Sequence, residues 1–134
     1  MRADTQSISI DAPPKEVFAM VADPRRLPDW AIGFAQAIDP RPNGGWTVTT
    51  GTGEVGLQVE SDVARGTVDF HMAPAPGVEI VAWSRVVGDE RQSVFVFTQV
   101  QAPGMPHEVF DAQVEALRHE LSVLKARLEV RCPA

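Results

Sequence analysis

At 134 residues, with 44% hydrophobic and 22% charged residues, the chain has the size and balance of one globular domain able to bury a core. A net charge of −6, with the basic residues scattered, argues against a phosphate-backbone partner, so no nucleic acid is expected. The lone Cys132 cannot close an internal disulfide, no apolar run approaches the ~18 residues of a membrane span, and the polar opening segment predicts a cytoplasmic chain.

Ile8 and Ile10 alternate with Ser7, Ser9 and Asp11, the period-2 pattern of a strand with one wet face. Asp11 then offers an N-cap, and Pro13 and Pro14 suit the first helical positions, where a missing N–H costs nothing. Val17, Phe18 and Val21 give this short helix an apolar side, Asp23-Pro24 ends it, and Leu27-Pro28-Asp29-Trp30 begins a second. A second strand is predicted over 33–38, closed by Asp39-Pro40 and a glycine-rich turn. Further strands follow over 46–50, 54–60, 67–72, 78–87 and 92–101, with turns at Gly51-Thr52-Gly53, at Ala73-Pro74-Ala75-Pro76-Gly77 and at Gly88-Asp89-Glu90. The order is one strand, two short helices, then six strands. Neither repeats nor linkers interrupt it, so 1–134 reads as a single domain.

The longest element opens at Pro106. Phe110, Val114, Leu117, Leu121, Leu124 and Leu128 follow one another at helical spacing and form one stripe. A helix over about 106–129 would span roughly 36 Å, enough to cross a curved sheet. Gln113, Arg118, Glu120, Lys125 and Arg127 fall on its opposite side and are expected in solvent. The same spacing fits a coiled-coil seam, but it covers fewer than the three to four heptads such a seam needs, which favours a core within the molecule.

The strand–helix–helix opening around Pro13-Pro14 and Leu27-Pro28-Asp29-Trp30 resembles that of the START-like (SRPBCC, Bet v 1-like) superfamily, in its bacterial polyketide cyclase/dehydrase-like branch. Short matches continue the resemblance at Asp69, Arg85-Val86, Phe97-Thr98, Pro103-Gly104-Met105 and Leu124-Lys125…Leu128-Glu129. One departure stands out: relatives often place His directly after the Asp, whereas Phe70 intervenes here before His71. The resemblance implies an α+β helix-grip fold, a seven-stranded curved antiparallel sheet wrapped around the C-terminal helix. It also implies a cavity between sheet and helix for an apolar or amphipathic small molecule.

Pairing the last strands through a three-residue turn at Gly88-Asp89-Glu90 and a five-residue turn at 73–77 sorts their side chains. One face then carries Asp69, His71, Glu79, Val81, Trp83, Arg85, Phe95 and Phe97, a mixture of aromatic walls and polar groups suited to a ligand. Trp30, Trp83, Phe95, Phe97, Phe110, Val114 and Leu117 are the expected ligand-binding residues, with Trp30 near the mouth. Asp69 could orient His71 as a general base while Arg85 stabilises an oxyanion. The residues alone favour a plainer reading, in which Asp69 and Arg85 form an ion pair serving the sheet and His71 lies at its rim.

Asp69, His71 and Glu79 are too poor in nitrogen and sulfur for a first-row metal, and no metal or cofactor is expected. Gly51-Thr52-Gly53-Glu54-Val55-Gly56 spells a nucleotide fingerprint but joins two strands, so no helix opens there to receive a pyrophosphate. Two functional classes follow: a module binding a hydrophobic or amphipathic molecule, and a polyketide cyclase- or aromatase-like enzyme using Asp69, His71 and Arg85. A partner-binding, cochaperone-like domain is a third, with Val94, Val96 and Val100 available for an edge-to-edge or face-to-face contact. A small hydrophobic ligand and, in a homodimer, a second copy of the chain are the partners these readings allow.

Overall fold

The computed structural model describes residues 1–42 and 44–130; Cys132 lies outside them. Strand β1 (Ala3–Ile10) leads into helix α1 (Pro14–Val21), a 3₁₀ turn (Pro24–Arg26) and the short helix α2 (Leu27–Trp30). Strands β2 (Ala37–Pro40), β3 (Trp46–Thr50), β4 (Gly53–Asp62), β5 (Thr67–Ala75), β6 (Val78–Gly88) and β7 (Ser93–Val100) follow, then helix α3 (His107–Leu128). The strands form one antiparallel seven-stranded sheet in the order β1-β7-β6-β5-β4-β3-β2. It is the helix-grip fold: β2 to β7 meander, β1 returns beside β7, and the curved sheet closes around α3.

The core lies on the concave face. Val48, Leu57, Val68, Phe70, Ala82, Val86 and Phe95 project from the strands toward Leu117, Leu121 and Leu124 of α3 and Val17 of α1. At roughly 25 cal/mol per Å² of apolar surface buried, these residues supply most of the driving force for closing sheet on helix. Three local expectations are corrected. Pro13, not Asp11, is the N-cap of α1 and no side chain caps it, while the Asp11 N–H donates to Glu129 Oε2 at 2.8 Å. The second strand starts at Ala37, because Phe34 and Ala35 donate instead to the Ala31 carbonyl (3.0 and 2.8 Å), winding 31–35 into turns. Glu120, expected in solvent, is 7% exposed.

Gly66 shows how tightly the meander is stitched. Its φ of +72° suits a residue without Cβ, its carbonyl accepts from Val86 N at 2.8 Å, and any side chain would run into the Val86 carbonyl oxygen.

Candidate functional site

The registers decide which residues can meet a ligand. Ile8, Phe95 and Val86 stand in one row across β1, β7 and β6; Gln6, Phe97 and Ser84 stand in the next. Along β6, Ala82, Ser84 and Val86 are buried, whereas Trp83, Arg85 and Val87 are exposed. Phe95 and Phe97 therefore point inward, toward α3.

Trp83 does not join them. It is 46% exposed on the outer face, opposite Thr98 of β7 and Asp69 of β5. The expected sorting fails at one hairpin. Gly88 pairs with Ser93, which leaves a four-residue connection, Asp89-Glu90-Arg91-Gln92, tied by Asp89 Oδ1 accepting from the N–H groups of Arg91 and Gln92 at 2.9 Å. The pairing thus moves by an odd number of residues, which exchanges the two faces of β7 relative to β6. At the other hairpin the pairing moves by an even number, His71 lying across from Val81 instead of Glu79, so Asp69, His71, Trp83 and Arg85 do share a face. It is the outer one, away from Phe95, Phe97 and the helix.

On that face the three ionisable residues do not form a dyad. His71 Nδ1 lies 2.9 Å from Glu79 Oε1, and Nε2 lies 3.3 Å from Glu60 Oε1. Arg85 Nε donates to the Arg65 carbonyl at 3.2 Å, and no Asp69–Arg85 ion pair occurs among the described residues. A cleft of about 860 Å³ opens beside His71, under the 73–77 hairpin and against Arg41, Gln58 and Glu79. A second, of about 330 Å³, lies between Ser9, Gly88 and Lys125. Neither lies between the sheet and the N-terminal half of α3.

The concave face brings Trp30, Phe95, Phe97 and Leu117 into one core. Trp30 meets Phe95 edge-on at a centroid distance of 6.0 Å, Phe95 meets Phe97 at 6.2 Å, and Phe97 meets Phe70 at 5.9 Å. Leu117 of α3 belongs to the same core; Phe110 is buried outside that cluster, with the Arg2 guanidinium 4.9 Å over its ring, and Val114 is half-buried between them. Phe34, Trp46, Met72 and Phe97 keep partial exposure at the rim of this core. Near β1 the lining turns polar: Gln6 Nε2 donates to Asp4 Oδ2 (2.8 Å) and to the Val114 carbonyl (2.9 Å). Trp30 is 2% exposed, and its Nε1–H has no acceptor among the described residues.

Glu120 was missed by periodicity. It sits beside the apolar stripe, where α3 meets the turns after α2, and Oε2 accepts from Gly33 N at 2.9 Å. A Cβ at residue 33 would lie 3.3 Å from Oε2 and 3.4 Å from Ala116, so the approach needs glycine or a shift of its neighbours. Burial pushes the carboxyl up from its ordinary 4.5 to about 7, against the opposing pull of the Gly33 and Phe34 N–H groups. The signal for it was a second stripe, Ala116, Glu120 and Val123, parallel to Leu117, Leu121 and Leu124.

The family described as "Polyketide cyclase / dehydrase and lipid transport" matches residues 1–129. The chain belongs to that family. Among solved structures, the Zhui aromatase/cyclase from Streptomyces sp. R1128 is similar at 18% identity and a TM-score of 0.76, over 99% of this chain and 96% of that one. The Aha1 dimer from Colwellia psychrerythraea gives 17% identity and a TM-score of 0.77, over 97% and 98% of the two chains. A START superfamily protein from Mycobacterium smegmatis gives 13% and 0.65, over 95% and 97%. At these identities the structures share the fold alone. No curated protein matches the chain in sequence. Among the described residues no helix is long and apolar enough to cross a membrane, and no group of His, Cys, Asp and Glu could hold a metal.

Proposed function

We propose that this polyketide cyclase/dehydrase-family domain binds a small hydrophobic or amphipathic molecule, lipid- or polyketide-like, between its concave sheet and α3. Trp30, Phe95, Phe97, Phe110, Val114 and Leu117 are its lining. The observation that carries the reading is the Trp30 indole N–H, buried at the end of a chain of aromatic rings with no acceptor. A buried donor left unpaired costs about 1–3 kcal/mol, which a guest oxygen placed there would recover. The partly exposed apolar rim at Phe34, Trp46 and Met72 supports entry of an apolar body beside it.

Anilinonaphthalene sulfonate, whose fluorescence rises in apolar surroundings, is the probe. It is expected to bind saturably, and Phe97→Trp, which fills the space, to weaken it by about tenfold, or ~1.4 kcal/mol. Trp83→Phe, on the outer face, is expected to leave the affinity unchanged. Equal affinity for wild type and Phe97→Trp would refute the lining.

A cyclase- or aromatase-like enzyme is the second reading, favoured by Glu120, a carboxyl of α3 buried against the turns after α2 and poised near neutrality as a general acid or base must be. Asp69, His71 and Arg85 lie across the sheet from the proposed lining, so this reading assigns them no step on a molecule held there.

A further inference from the structure

We infer that the outer face of β6 and β7, centred on Trp83, is the two-fold interface of a homodimer of this chain. Both strands are apolar on both faces. Inside stand Ala82, Val86, Phe95 and Phe97 with Ser84 and Ser93; outside stand Val81, Trp83, Val87, Val94 and Val96 with Arg85 and Thr98. An antiparallel sheet with one wet face alternates apolar and polar, and strands apolar at both parities belong where both faces are covered. The flanking strands obey the rule, with Thr67, Asp69 and His71 outward on β5 and Thr5, Ser7 and Ser9 outward on β1. The apolar residues are thus local and bounded, and Trp83, which stands among Asp69, Thr98, Arg85 and Val81, is 46% exposed.

Charge selects a second copy as the occupant. Asp69 lies across from Trp83 on β5, Arg85 lies two residues along β6, and the two make no ion pair with each other among the described residues. A two-fold axis near Trp83 would bring Arg85 of each copy toward Asp69 of the other. Such a face is self-complementary, the requirement of an isologous interface. A partner of single sign would leave one of the two charges facing its like. Three strands about 4.8 Å apart and seven residues long cover roughly 350 Å² per copy, well below the ~800 Å² of a standard interface. The dimer is therefore a weak, transient one.

Sedimentation velocity from about 5 to 500 µM, at low salt, tests this. The wild type is expected to pass from monomer to dimer over that range, and Trp83→Glu to raise the Kd at least tenfold. Asp69→Arg and Arg85→Asp are each expected to weaken the dimer, and the double exchange to restore it to within about threefold of wild type. That rescue requires a folded protein, so it separates a lost interface from a lost fold, and circular dichroism checks each variant. A wild type that stays monomeric at about 500 µM overturns the inference, as does a dimer indifferent to Trp83→Glu or a double exchange no better than its single variants. Binding to phosphatidylcholine vesicles through Trp83, in place of self-association, would overturn it in favour of a lipid surface.

Discussion

In Glu120→Gln, the pH dependence of stability between about pH 5 and 8 is expected to flatten. The Glu120 carboxyl has a folded pKa of about 7 against an ordinary 4.5. Below 4.5 it is protonated in both folded and unfolded chains and favours neither. Between 4.5 and 7 the unfolded chain releases the proton while the folded chain keeps it, so wild-type stability falls as pH rises through this window. Above 7 the folded carboxyl is ionised and the full penalty, on the order of 3 kcal/mol, is present. Glutamine keeps an acceptor for the Gly33 N–H without a charge to desolvate. The variant should therefore melt higher than wild type at pH 8, by on the order of 10 °C, and the gap should close toward pH 5. Thermal melts of both proteins across that range give the comparison. Parallel profiles would show that Glu120 is not held protonated by burial.

A second large effect is expected at Phe95. It is fully buried, opposite Ile8 and Val86, and its ring meets Trp30 edge-on. Phe95→Ala should cost about 3–5 kcal/mol through lost burial and the cavity left behind. Trp83→Ala, a larger truncation on a neighbouring strand, should cost the monomer less than about 1 kcal/mol, since its side chain lies outside the core. Urea unfolding of dilute protein measures both. Comparable losses would mean that the two aromatics share a face after all.

That contrast marks where the sequence was legible. Element order and type follow from periods of two and 3.6 and from the proline and glycine punctuation, and they led to seven strands and one long helix; the grip of sheet on helix came from the family resemblance. Faces do not follow from composition, because β6 and β7 are apolar at both parities and either sorting satisfies the pattern. The four-residue connection at 89–92 decides it, through Asp89 folding back onto two N–H groups. A three-residue turn uses the same residue types. Phe110 and Leu117 are buried as the helical stripe implies, whereas Phe95 and Phe97 point inward although the turn used to sort them does not form. Glu120 was misplaced for a different reason: α3 packs against two partners, the sheet and the turns after α2, and a single apolar stripe registers only the first. Trp30 was expected near a cavity mouth, but it is 2% exposed within the core, and its unpaired N–H emerges only from packing.

Helix α3 is fastened unequally along its two flanks. Toward β1 and its end it is held by Arg2 to Asp111 (2.6 Å), Gln6 to the Val114 carbonyl (2.9 Å), Lys125 Nζ to the Ser9 carbonyl (2.7 Å) and Asp11 N–H to Glu129 (2.8 Å). Toward the turns after α2, the Glu120 carboxyl takes up the Gly33 N–H. The helix is thus hung like a door, with β1 as the jamb and Glu120 as the latch. A guest passing between helix and sheet would enter on the Phe34 and Trp46 side, and raising the pH through 7 would weaken the latch while sparing the hinge. Hydrogen exchange should record this as earlier loss of protection at Gly33 and Phe34 than along β1, with the gap widening above neutrality.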